Sequence, residues 1–321
     1  VPLLNSSYPG PPYYLFNSHL ETIVPSAFRN IEGNYVREQI ELTDGDFLDL
    51  DWMKNNTDQL VIITHGLEGS SDRHYSKGMA KYFYDKGWDS VAWNCRGCSG
   101  AMNRLPKFYH HGATEDLATI IDHAIKNNYK HISLVGFSMG GSMSLKYLGE
   151  RNKNVPAEVK SAVVFSVPCD LGSSARELDK PSKRFYLNRF LKKLGKKIRA
   201  KALLFPEVIS ADGFEDIKTF RDFDTRYTAP LPGFTDADDF YAKASSGQYL
   251  EGIQVPTLLV NALNDPFLPE ACYPTDLAKE HPQLFLETPK RGGHVGFSLA
   301  GTVDNWMERR AFEFVNSFPV G

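Results

Sequence analysis

No apolar run in these 321 residues approaches the ~18 residues that a membrane-spanning helix requires. The longest are pieces such as Leu60-Val-Ile-Ile63 and Thr257-Leu-Leu-Val260. Cysteine is scarce: Cys95, Cys98, Cys169 and Cys272 make only four, too few in so long a chain for a disulfide framework. Cys95-Arg-Gly-Cys98 has the spacing of half a zinc site, but no second such pair, of cysteine or histidine, follows it closely enough to complete a tetrahedron. Two reduced thiols in a strand-end loop, and no metal, are the expectation. Basic excess is missing too. The 36 Lys+Arg face 39 Asp+Glu, for a net charge of −3, whereas a nucleic-acid binder carries marked positive charge. Repeats and low-complexity tracts are absent, and 42% hydrophobic with 23% charged residues excludes disorder, collagen and coiled coil. No secretory apolar segment is visible, so the cytoplasm is the expected location. The opening Val1, in place of Met, is read as removal of residues upstream.

What the chain does have is an alternation of strand and helix patterns. Residues 36–42 and 47–53 flank Thr43-Asp-Gly-Asp46 as a hairpin. Short apolar strands are expected at 60–64, 88–94, 132–137, 162–167, 257–262 and 284–287. Helical spacing fills 72–86, with Tyr75, Met79, Tyr82 and Phe83 on one face, then 114–127, 139–149 and 303–317. Apolar strands separated by helices call for an α/β fold, a mostly parallel central sheet covered on both faces. The rhythm breaks between 168 and 252. Ten Lys/Arg and no acid occupy 180–201, and nine Asp/Glu against three Lys/Arg follow in 207–239. The expected organisation is an N-terminal extension (1–35) packing on the core, a core of 36–167 and 253–321, and a helical cap inserted at 168–252. For the basic amphipathic stretch two readings stand: a solvated face, or peripheral contact with an anionic membrane surface.

Gly136-Phe137-Ser138-Met139-Gly140 matches G-x-S-x-G and falls where that motif must, between an apolar strand and a helix. A serine presented above the sheet edge sits on a strained turn, and side chains at 136 and 140 would collide with neighbouring backbone. Serine is a poor nucleophile unless a base takes its proton and an acid orients that base. Chain order Ser, Asp, His on loops after late strands selects two positions. Asn264-Asp265-Pro266 follows the strand at 257–262, and Gly292-Gly293-His294 follows the strand at 284–287. Of nine histidines only His281 and His294 lie beyond Asp265, and His281 precedes the last strand. The expected catalytic set is Ser138, Asp265 and His294, with Asp276 as the alternative acid. Two backbone donors should stabilise the oxyanion: Met139 N–H after the nucleophile, and Leu67 N–H from His65-Gly-Leu-Glu-Gly-Ser70. Glu68 departs from an all-glycine loop, either solvated or holding the loop by a hydrogen bond.

With these residues in view, the chain resembles the α/β-hydrolase superfamily and, within it, the YheT/EMB8 branch that includes the ABHD1/2/3-type proteins. The matching stretches are His19-Leu-Glu-Thr-Ile23, His65-Gly-Leu-Glu-Gly69, Asn94-Cys-Arg-Gly-Cys-Ser-Gly100, Gly136-Phe-Ser-Met-Gly-Gly141, Asn264-Asp-Pro266 and Gly292-Gly-His-Val-Gly296. The resemblance implies an α/β-hydrolase fold with a cap and a serine hydrolase, without cofactor, acting on small-molecule esters or acyl lipids. An acyltransferase on the same triad and a non-catalytic binding protein are the alternatives. His111-Gly-Ala-Thr-Glu-Asp116 matches an H-x4-D pattern shared with glycerolipid acyltransferases. From the residues alone, Thr114 and Asp116 are a helix cap and first-turn acid.

Overall fold

The structure is a computed structural model that describes residues 3–318. Nine strands form one sheet: β1 (Leu3–Leu4), β2 (Val36–Glu41), β3 (Phe47–Met53), β4 (Gln59–Thr64), β5 (Asp89–Asn94), β6 (His131–Phe137), β7 (Val159–Phe165), β8 (Thr257–Val260) and β9 (Leu284–Glu287). Their order is β1-β9-β8-β7-β6-β4-β5-β3-β2. Among the strands of the described residues only β3 pairs antiparallel, with β2 through the expected hairpin and with β5; every other strand pairing is parallel.

Among the described residues ten α-helices accompany the sheet: α1 (Ser18–Phe28), α2 (His74–Asp85), α3 (Thr114–Lys126), α4 (Met139–Arg151), α5 (Leu171–Asp179), α6 (Arg184–Leu204), α7 (Phe220–Phe223), α8 (Ala237–Ala244), α9 (Thr275–Glu280) and α10 (Trp306–Asn316). Alternation along the strands divides the core. In β4, Leu60 and Ile62 face the cluster containing α3 and α4, while Val61 and Ile63 face the one containing α2 and α10. A sheet buried on both faces can therefore be built from almost wholly apolar strands.

Several boundaries differ from the periodicity, each for a local reason. β7 stops at Phe165 because Ser166 turns to φ 55°, and the Asn261 side chain takes over both Val167 backbone groups. α10 begins after Asn305, whose side chain and Glu308 form a reciprocal capping box. Thr114 is not a cap. Ala113 holds that position, and the Thr114 hydroxyl donates to Glu150. The first 35 residues contribute two elements without a periodic signature, α1 and the two-residue β1 at the sheet edge.

Between β7 and β8 lie α5 to α8. The basic run of 180–201 does not make a single face of α6. Lys197 and Lys201 are buried, and Lys201 donates to the carbonyls of Leu105 and Lys107. Among the described residues no helix is long and apolar enough to cross a membrane.

Candidate active site

β6, in the middle of the sheet, delivers Ser138 at its carboxyl end, and α4 starts on the next residue. Ser138 has φ 53° and ψ −117°, a sparsely populated conformation that costs about 1–3 kcal/mol and persists only where surroundings fix it. They do so tightly. A Cβ on Gly136 would lie 2.5 Å from the Gly140 carbonyl, and one on Gly140 would lie 2.6 Å from that of His65 and closer still to that of Thr64. The Ser138 amide donates to Phe165 O at 2.9 Å.

The structure brings Ser138, His294 and Asp265 together. Ser138 Oγ lies 3.0 Å from His294 Nε2, and His294 Nδ1 lies 2.9 and 3.1 Å from the two Asp265 oxygens. Asp265 is buried, its Oδ1 also accepting Phe267 N–H at 2.9 Å. The Phe267 ring packs 4.0 Å, centroid to centroid, from the imidazole. Asp276 is elsewhere: its side chain is 96% exposed on α9, paired with Lys279.

The loop after β4 runs beside the serine, where a Cβ on Gly66 would lie 3.3 Å from Ser138 Cβ. His65 sets its course. Cys95 N–H donates to His65 Nε2 at 3.1 Å, so Nδ1 carries the proton and donates to Gly66 O at 2.7 Å. Burial holds His65 neutral, its pKa lowered to about 4. In a trans peptide the N–H points opposite the carbonyl, so anchoring Gly66 O turns Leu67 N–H the other way. Among the described residues neither Leu67 nor Met139 N–H has a protein acceptor.

Glu68 is not solvated. Its side chain is buried, and Oε1 accepts from Tyr109 OH at 2.6 Å and from Lys197 Nζ at 2.8 Å. Lys193 donates to its carbonyl at 3.0 Å. With φ 52°, Glu68 occupies left-handed backbone that a non-glycine residue adopts only at a cost, offset here by contacts to α6.

Two further residues hold the backbone of the loop that carries His294 and lie outside the set expected from sequence. Thr22 Oγ1 accepts the His294 amide at 2.9 Å. The Glu21 carboxylate, almost fully buried, accepts Gly292 N–H at 2.6 Å, Asn264 Nδ2 at 3.0 Å and Arg291 Nε at 2.9 Å. One turn of α1 thus fixes the loops of both Asp265 and His294. The signal was present in the stretch His19-Leu-Glu-Thr-Ile23, but no chemistry attaches to those residues until the fold closes. Asp116 has a structural occupation: it receives a bidentate Arg96 guanidinium at 2.7 and 2.9 Å, which also contacts Asp44 and Asp46.

A cavity opens from Ser138 and His294 beneath α5 to α8, lined by Leu171, Ala175, Leu194, Phe220, Phe223 and Phe267 among others. Among the described residues no cluster of three or more His, Cys, Asp or Glu is arranged to hold a metal, and all four cysteines are free thiols.

A mostly parallel sheet with a strained serine between β6 and α4 defines a class, and the match is direct: the chain belongs to the alpha/beta hydrolase fold family, whose model covers residues 59–300. More particularly, it is 31% identical over 314 residues to YheT of Escherichia coli (strain K12), spanning 94% of this chain and 91% of that one. It is 30% identical to Phospholipase ABHD3 of Homo sapiens, over 88% and 72% of the two chains, and 30% identical to Embryogenesis-associated protein EMB8 of Picea glauca, over 90% and 68%. Among solved structures, the Pyrococcus furiosus esterase Pf2001 shares the fold with a TM-score of 0.58 at 19% identity, covering 90% of this chain and 96% of that one.

Proposed function

We propose that this protein hydrolyses carboxylic esters through an acyl-enzyme intermediate formed on Ser138. The reading rests on one observation, the unbroken hydrogen-bonded run from Ser138 Oγ through His294 to Asp265. Asp265 accepts Nδ1–H and so leaves Nε2 as the base. Ser138 Oγ attacks the ester carbonyl as its proton passes to His294 Nε2. The oxyanion is received by the amides of Leu67 and Met139, each donor of this kind contributing about 3–4 kcal/mol in the transition state. Collapse of the intermediate breaks the bond to the alcohol oxygen, which takes the proton from Nε2. Water, deprotonated by the same nitrogen, then attacks the acyl-serine and releases the acid.

The apolar cavity beside Ser138 supports an acyl chain as the acid portion of the substrate. Relatives named as phospholipase and monoacylglycerol lipase agree with an acyl-lipid substrate. The test is a p-nitrophenyl ester series from acetate to palmitate together with a fluorophosphonate probe. Wild type should hydrolyse the esters and take the label at Ser138, and Ser138→Ala should do neither. Rates that Ser138→Ala leaves unchanged would defeat the proposal.

A further inference from the structure

A second cavity meets the first at Ser138 and His294 and shares Leu67, Glu68, Phe190 and Phe267 with it. The rest of its lining adds three cations, Arg73, Arg189 and Lys193, to Ile23, Tyr75, Tyr186 and Val295, and includes the start of α2. Its acid, Glu68, is already engaged by Lys197. Arg73 donates to the Ser26 hydroxyl and Lys193 to the Glu68 carbonyl, both neutral acceptors. Among the described residues none of the three cations is paired with a carboxylate. They act on one another: burial first, and then the charge of Arg73, hold the Lys193 amine below its ordinary range, with Arg189 adding to the effect.

Two features of α2 reinforce this. Its first turn has no acidic residue, and Arg73 at the cap makes no side-chain cap bond, so the partial positive charge of the helix start is unanswered. His74, only 8% exposed, lines the same cavity, and among the described residues its Nδ1 has no hydrogen-bond partner. Burial and the neighbouring Arg29 and Arg73 depress its pKa to about 3, so the ring is neutral. Like charges gathered in a half-buried space oppose folding unless something negative joins them.

We propose that this second cavity is an anion subsite, receiving a carboxylate or phosphate carried on the alcohol side of the ester. The inference rests on the ester-hydrolysis reading above. With the acyl chain in the apolar cavity and the carbonyl carbon at Ser138 Oγ, the alcohol oxygen must face His294 Nε2 to be protonated. Both cavities reach Ser138 and His294; with the acyl chain in the first, the alcohol extends into the second, toward Arg73, Arg189 and Lys193. Guanidinium groups suit this task because their planar donors match both carboxylate and phosphate oxygens.

Three octanoyl esters that differ only in the alcohol test it: those of ethylene glycol (neutral), glycolic acid (carboxylate) and 2-hydroxyethyl phosphate. At least one anionic ester should exceed the neutral one in kcat/KM on the order of tenfold or more, the gain of a charge-assisted contact, and which one does so identifies the anion. Arg73→Gln and Arg189→Gln should each shrink that ratio, and Arg189 lies on the exposed rim of α6, where its loss does not disturb the core. Equal kcat/KM on all three esters, or a ratio untouched by both substitutions, overturns the subsite. Fluorophosphonate labelling of Ser138 separates the two failures. Labelled enzyme without anion preference removes the subsite alone, and failure to label removes the reading beneath it.

Discussion

The Glu68 carboxylate and the Lys197 ammonium, 129 residues apart in sequence, meet at 2.8 Å inside the protein. The pair ties the loop that carries the Leu67 amide to α6, with both side chains less than a tenth exposed. Removing one partner of such a pair strands a buried charge and typically costs about 3–5 kcal/mol. Lys197→Met should lower unfolding stability by that order and also slow ester hydrolysis, because Glu68 at φ 52° loses its restraint. Glu68→Gln added to Lys197→Met should recover much of the lost stability. Urea melts of the two single variants and the double variant measure the coupling, and additive losses would contradict it.

Thr22 and Glu21 are positioning residues, since they reach His294 and Asp265 through backbone and Asn264. Thr22→Val deletes the acceptor for the His294 amide. A misplacement of about 1 Å near a reacting group can cost about 100-fold, so kcat should fall by roughly 10–100-fold while KM changes little. Thr22→Ser, which keeps the oxygen, should restore most of the rate. Steady-state kinetics on one p-nitrophenyl ester decide the matter, and a rise in KM with kcat intact would assign Thr22 to substrate binding instead.

Asp265→Asn preserves shape but removes the carboxylate that fixes His294 as the Nδ1–H tautomer. In the serine-protease triad the equivalent change lowers kcat about 10,000-fold, and a loss of several thousandfold is expected here. Asp276→Asn, exposed and paired only with Lys279, should leave kcat/KM unchanged. Similar rates for Asp265→Asn and wild type would show that the imidazole needs no carboxylate.

Asp224 lines the apolar cavity and accepts hydrogen bonds from Thr228 and Tyr241. Burial raises its pKa from 3.8 to about 6, despite those two hydroxyls. A folded-state value above the unfolded one means that the folded protein binds the extra proton between pH 4 and 6. The stabilisation is full below about pH 4 and lost as pH rises through 6. Two pKa units correspond to about 3 kcal/mol. Asp224→Asn should therefore improve, relative to wild type, by about 2–3 kcal/mol between pH 4 and pH 8. Urea unfolding at the two pH values tests this, with any pH-independent cost of the amide cancelling in the comparison. An identical difference at both would show that Asp224 ionises normally.

Most of the sheet was legible because strands buried on both faces are nearly continuous apolar runs, such as Leu60–Ile63 and Ile132–Val135. The serine turn was legible for a different reason: a backbone this crowded leaves glycine as the fitting residue at 136 and 140, and that constraint is written into the sequence. The positions of Asp265 and His294 could be read from chain order. Glu21, Thr22 and Lys197 could not, since their partners lie 271, 272 and 129 residues away and a buried charge has no periodicity to mark it. Lys197 reads as one more cation in a basic stretch until Glu68 is seen opposite it.

The dependence of the imidazole loop on α1 has a practical side. The family model begins at residue 59, and a gene trimmed to that boundary, or to the hairpin before it, would still encode the serine, the imidazole and the carboxylate. It would encode none of the oxygens of Glu21 and Thr22 that grip residues 292 and 294. Shortened clones, domain grafts and chimeras with distant relatives should therefore carry the stretch from Ser18 onward as a cassette. A shorter product that looks well folded would be a poor guide to how fast the 321-residue chain works.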